Sequence, residues 1–167
     1  MAVLSTIAAS APRHVQEQTL PLLFESLSDR APSREDVSGR SRSWRILSAL
    51  SALCVHPELF EILVIRLTTK VDLICIPMIK PSAGEEEPNA AHAHSLLKTI
   101  ANTLSAKVDK GHLDIAKYID RLVPRLYNLF LYSALLGEGQ GLAANDHRLV
   151  SVAGKIITLV VQGLPLA

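Results

Sequence analysis

From Ala2 to Gly163 the apolar residues return every three or four positions, and nowhere do they alternate with polar ones for the length of a strand. That period lays one apolar stripe along a helix, so the chain is expected to be all-α. Its punctuation divides it into helices. A short one is expected over about residues 2–10. Pro12 can open a second, running to about Leu27 with Pro21 inside it, and Asp29-Arg-Ala-Pro32 reads as a turn. Ser33-Arg-Glu-Asp36 has capping-box spacing, with Ser33 as N-cap and Asp36 reaching back. The helix it opens is weak around Ser38-Gly39 and strong from Trp44 to Val55, with Trp44 expected in the core. His56-Pro57 breaks it. Pro57 has no N–H to lose at a first helical position and starts the next helix, Glu58 to about Val71.

Pro77 and Pro81 end regular structure, and Pro81-Ser-Ala-Gly-Glu-Glu-Glu-Pro-Asn89 reads as an acidic, solvated loop over about residues 80–90. A helix from about Ala90 to Lys110 follows, closed by Gly111. Asp114 to about Leu136 is read as one long helix carrying Pro124. A Gly-rich loop covers about 137–144, and Asn145 or Asp146 can cap a last helix ending near Gly163. These make about eight helices in about four pairs, close to the ~40–47 residues per unit of HEAT-type repeats. The expected architecture is an α-α superhelix, with residues 1–167 as one array. In the helix from Asp114, residues Ile115, Tyr118, Ile119, Leu122, Val123, Leu126, Leu129 and Phe130 fill a stripe roughly 140° wide, with Pro124 on its polar side. The last helix has an apolar arc of roughly 200°, edged by Val150, Ile157 and Val161. One partner helix does not cover so wide an arc. A further repeat is therefore expected beyond it, and the chain is expected to be part of a longer solenoid.

Composition narrows the function classes. Apolar residues make up 49% and charged residues 20%, which excludes intrinsic disorder. Seventeen Lys and Arg against sixteen Asp and Glu leave a net charge of +1, so no global basic field points to nucleic acid or anionic lipid. The N-terminus lacks the basic segment of a signal peptide. Lys155 and Gln162 interrupt the apolar run from Leu149 to Leu166, which fits a buried helix of a soluble protein better than a membrane span. Cys54 and Cys75 are too few for a disulfide framework and fit a reducing, intracellular compartment.

No segment carries a convincing chemical motif. His92 and His94 sit two apart, so on a helix their side chains diverge by roughly 160° and read as solvent-facing residues rather than metal ligands. Cys54-Val-His56 lacks an orienting third group, and Cys54 reads as a buried structural cysteine. Gly137-Glu-Gly-Gln-Gly141 has neither the preceding strand nor the following Lys of a phosphate loop. Glu85 to Glu87 read as a solvated run. Arg42 and Arg45 share one polar side beside Trp44 and are the candidate partner-binding residues, while Arg40 would project toward the apolar side formed by Trp44, Leu47 and Cys54. The simpler reading of that side is a solvated face. No catalytic, metal or cofactor-binding residue is expected, and no cofactor.

Three runs carry a resemblance: Thr19-Leu-Pro-Leu-Leu-Phe-Glu-Ser-Leu-Ser-Asp-Arg-Ala-Pro32, Ser43-Trp-Arg-Ile-Leu-Ser-Ala-Leu50, and Pro57-Glu-Leu-Phe-Glu-Ile-Leu-Val-Ile-Arg-Leu-Thr-Thr-Lys70. In the first, Pro21 lies inside a helix and Asp29 follows eight positions later at its turn, a HEAT-repeat habit. Together they resemble the methyl-methanesulfonate-sensitivity family of DNA-repair and transcription proteins, fungal members especially. The resemblance is best over residues 19–76 and weaker to 163. It implies a HEAT-repeat, non-enzymatic adaptor of cytosolic iron–sulfur protein assembly, of which this chain would be an internal fragment. Implied partners are subunits of the iron–sulfur targeting complex and apo-protein clients, in cytoplasm and nucleus, with no direct nucleic acid and no membrane. The alternative is another HEAT or armadillo scaffold, such as a transport receptor or a phosphatase regulatory subunit. An enzyme on a helical bundle would need facing carboxylates and His, as in Glu-x-x-His, and the chain has no such motif.

Overall fold

The computed structural model describes residues 2–27, 32–33, 35–75, 86–132 and 146–164. Among them there is no strand, and the fold is all-α, of helical-repeat type. Its α-helices are α1 (Ala2–Ser10), α2 (Pro12–His14), α3 (Leu20–Ser26), α4 (Val37–Leu53), α5 (Pro57–Cys75), α6 (Glu86–Asp109), α7 (Val123–Leu126) and α8 (His147–Gln162). Helix α6 lies at the centre and packs against α4, α5 and α8, while α1 and α3 lean on α4. The core is continuous through these contacts, from Leu20 and Phe24 through Leu50, Phe60 and Leu97 to Ile156 and Val160. None of the described helices is long and apolar enough to cross a membrane.

The local chemistry explains several boundaries. Pro57 opens α5 as expected, although that helix runs on to Cys75. Gly111, at φ +67°, closes α6: its N–H donates to Val108 O at 3.0 Å, and the His112 N–H donates to Lys107 O at 3.0 Å. That is the Schellman arrangement, which needs a left-handed residue at this position and so favours glycine. Asp146 is the cap of α8, its carboxylate accepting from the Arg148 N–H at 2.9 Å.

Other boundaries correct the sequence reading. The cap of α4 is Asp36 rather than Ser33, with Oδ1 accepting from the Gly39 N–H at 2.8 Å. Asp36 can serve because a carboxylate three residues ahead of a free N–H caps as well as a hydroxyl does. Helix α6 starts at Glu86, so the C-terminal part of the expected acidic loop is its first turn. Pro81 to Glu85, the Gly-rich loop at 137–144 and the turn residues 29–31 lie outside the described residues.

The two internal prolines reshape the backbone. Ahead of Pro21 the chain widens into a π-helical turn, Val15–Thr19, where the Leu20 N–H reaches back to Val15 O. A regular α-turn would press the proline ring against the carbonyl four residues back, and the wider turn relieves that clash. Around Pro124 the expected single helix is replaced by a 3₁₀-helix (Leu113–Tyr118), a turn, the short α7 and a π-helix (Tyr127–Tyr132). Ile115, Tyr118, Leu122, Leu126 and Phe130 are nevertheless buried, Ile119, Val123 and Leu129 are half-buried against the core, and Pro124 is exposed. Burial thus kept the predicted stripe while the proline changed the winding beneath it. In α8, Leu149, Val152, Ala153, Ile156, Leu159 and Val160 are buried, Val150 and Ile157 half-buried, and Val161 52% exposed.

Candidate functional site

The face of α4 that bears Trp44 does not meet the core. Ile46, Leu47, Leu50 and Leu53 form its buried stripe, and Trp44 lies ~120° from the centre of that stripe at 100° per residue. Trp44, the only tryptophan in the chain, is therefore 70% exposed. This corrects its expected place in the core, which rested on grouping it with Leu47 and Cys54.

Trp44 stands on the wall of a groove of about 1140 Å³ between α4 and α6. The groove exists because both walls are built from small residues. Helix α4 contributes Ser41, Ser48, Ser51 and Ala52, and α6 contributes Ala91, Ser95 and Ala106. The fully buried Thr103 hydroxyl donates to Thr99 O at 2.8 Å and accepts from Ser51 Oγ at 3.1 Å, which ties the two helices together. Arg40, Lys98 and Lys110 line it as exposed cations, and among the described residues no Asp or Glu does.

The two histidines enter the same groove. His92 is only 5% exposed and His94 is half-buried, so neither is the solvent-facing side chain the sequence suggested. Their helix begins a turn earlier than expected, which places both within its packed length. Burial holds the His94 imidazole below its ordinary value, with Lys98 and Arg148 pushing the same way and Asp146 opposing. Arg42 and Arg45 are exposed but do not line the groove, whereas Arg40, set apart in the sequence reading, does. The groove is what the sequence reading missed. Its signal was a run of serines and alanines on the side of α4 opposite the leucines.

The reactive side chains elsewhere are structural. Burial pushes the thiols of Cys54 and Cys75 up to about 12, so both stay protonated at neutral pH. His56 Nδ1 accepts from the Glu58 N–H at 3.4 Å. Among the described residues no three His, Cys, Asp or Glu side chains gather into a metal-holding set.

Below the groove the end of α6 is locked by one buried charge. The fully buried Lys107 ammonium lies 2.8 Å from Asp114 Oδ2, donates to Val55 O at 3.2 Å, sits 3.2 Å from His112 Nδ1 and stands 5.0 Å from the centre of the Phe60 ring. Burial lowers its pKa and Asp114 opposes that shift. Phe60 in turn meets Tyr118 edge-on at 4.9 Å. Along α5, Glu61 near its start accepts from Lys117 at 3.0 Å and Arg121 at 2.6 Å, and Asp72 near its end pairs with Arg125.

Residues 46–167 match the family described as RNAPII transcription regulator C-terminal, MMS19_C. The match takes in α5 to α8 and the C-terminal part of α4 from Ile46, while Arg40 and Trp44 lie ahead of it. The earlier resemblance is borne out at the level of the family, although its best stretch, 19–76, only partly overlaps the matched span. No curated protein and no solved structure matches the chain. With most of its length covered by the one match, the chain belongs to the RNAPII transcription regulator C-terminal family.

Proposed function

We propose that the chain is a non-enzymatic protein-interaction scaffold, a piece of the adaptor that delivers apo-proteins to the cytosolic iron–sulfur cluster assembly machinery. Its partners are subunits of the targeting complex and clients from DNA repair, replication and transcription. It works in cytoplasm and nucleus, takes no cofactor and holds neither nucleic acid nor membrane directly. The observation that carries this reading is membership of a transcription-regulator family over residues 46–167. Packed helix pairs support it, because they offer extended surfaces to large partners and need no chemistry of their own. The groove between α4 and α6 is such a surface, and its residues include no thiol or carboxylate among those described.

The test has two parts. The purified chain is expected to co-sediment with targeting-complex subunits or with an apo-client. Deleting the region that corresponds to residues 46–167 from a full-length family member is expected to lower iron incorporation into clients without lowering their abundance. Unchanged iron incorporation after that deletion would overturn the delivery role.

A further inference from the structure

We propose that the groove between α4 and α6 is a docking cleft for an acidic peptide segment of a protein partner, one that carries an apolar anchor for Trp44. The proposal rests on the scaffold reading and names what that surface takes.

Charge is the first argument. Arg40, Lys98 and Lys110 project into the groove, and none of them pairs with a carboxylate among the described residues. Elsewhere six described cations meet carboxylates, Arg13 with Glu17, Lys107 with Asp114, Lys117 and Arg121 with Glu61, Arg125 with Asp72, and Arg148 with Asp146, while Arg42, Arg45, Arg66 and Lys155 stand scattered on the surface without one among the described residues. What sets the groove apart is that three cations share one cleft whose described lining holds no carboxylate, in a chain of net charge only +1. That arrangement complements a run of Asp and Glu.

Shape is the second. At about 1140 Å³ the groove exceeds the usual small-molecule pocket of roughly 300–1,000 Å³. From Val37 to Ala52, both in its lining, α4 rises about 23 Å at 1.5 Å per residue. About seven residues of extended chain cover that length. The exposed Trp44 indole supplies a flat apolar face of the kind that anchors interfaces. Leu47 and Val55 add apolar floor, and the hydroxyls of Ser48, Ser51 and Thr99 can meet a peptide backbone. A nucleic-acid strand is a poorer fit, because it would need a longer basic track and more stacking platforms than one tryptophan.

Trp44 is also the probe, since no other tryptophan contributes to the emission. The ligand to use is a short fluorescein-labelled peptide of Asp and Glu around a single Phe, and its twin with Asn and Gln in place of the acids. Titration into the full chain is expected to raise the label's anisotropy, and the unlabelled peptide to shift Trp44 emission to the blue. Affinity should fall at least about tenfold for the neutral twin, and by a similar factor for the Arg40→Glu/Lys98→Glu variant. The Arg42→Glu/Arg45→Glu variant should bind normally, and circular dichroism should report both variants folded. Equal binding of the neutral twin would overturn the proposal. So would equal loss in the Arg42/Arg45 variant, or tighter binding of a single-stranded oligonucleotide of the same charge. Binding that emerges only when Glu85, Glu86 and Glu87 are all changed to Gln would overturn it in favour of the chain's own acidic segment as occupant. The scaffold reading is scored separately by client co-sedimentation: clients retained without peptide binding leave it standing, and peptide binding without clients removes it alone.

Discussion

Lys107→Met should be the most damaging conservative change in the molecule. Methionine keeps most of the side chain's volume and deletes only the ammonium. The variant loses the charge-assisted hydrogen bond to Val55 O, worth about 1.5–3 kcal/mol, and the contact with the Phe60 face, worth about 1 kcal/mol. It also strands the Asp114 carboxylate, which has the ammonium at 2.8 Å as its ion-pair partner. Removing one member of a buried pair costs about 3–5 kcal/mol. These contributions overlap, and Asp114 is 17% exposed and recovers some water, so the net loss should fall at the low end, about 3 kcal/mol. At about 2–4 °C per kcal/mol for a domain of this size, Tm should drop by about 6–12 °C. The assay is urea unfolding followed by circular dichroism at pH 7.5 for Lys107→Met, Asp114→Asn and the double variant. The double variant should lose at least about 1 kcal/mol less than the sum of the singles. A loss below about 1 kcal/mol in Lys107→Met, with an additive double, would mean that desolvation of the ammonium cancels all its partners. The account of the lock would then be wrong.

Acid should weaken the fold in a defined window. Burial holds the His94 and His112 imidazoles below their ordinary value of 6.5, so the unfolded chain takes up protons first. Stability is therefore full above about pH 6.5 and falls as pH drops through the folded-state values. The urea midpoint should be lower at pH 5.5 than at 7.5, and His112→Gln should flatten the difference; a midpoint that rises on acidification refutes the sign. Asp36→Ala should cost about 1 kcal/mol through loss of the α4 cap. Gly39→Ala, normally a stabilising change inside a helix, should fail to stabilise, because the new methyl would meet the Asp36 carboxylate that caps the helix. Thermal melts read both. Trp44→Ser should change stability by no more than about 0.5 kcal/mol if the indole faces the groove, whereas a loss of several kcal/mol would return Trp44 to the core.

The readable parts of the fold were those decided by one residue's own chemistry. Pro57 at a helix start, Gly111 at a left-handed cap and Asp146 beside a free N–H each act on their neighbours in sequence. The stripe from Ile115 to Phe130 was readable for a different reason: burial depends on which side chains face inward, and that survived the change of winding around Pro124. The misread residues are those whose fate depends on a distant helix. Trp44 lies off the buried stripe of α4, and which stripe of that helix is buried is decided by the helices packed against it. His92 is buried because α6 starts earlier than the acidic run suggested. Lys107 carries no signal in its neighbouring sequence, because Val55, Asp114 and Phe60 gather round it from other parts of the chain.

The central place of α6 fixes the order in which the molecule comes apart. Its amides can exchange with solvent deuterium only after α4, α5 and α8 have released it, because all three pack against it. Those amides should be the slowest of the chain and should report the global unfolding free energy. Helices α1 and α3 touch α4 at the margin and should exchange through smaller, local openings. Since one wall of the groove is α6 itself, a peptide bound there need not create order on that side. It would inherit the least mobile element available, and only the α4 wall should show slower exchange on binding.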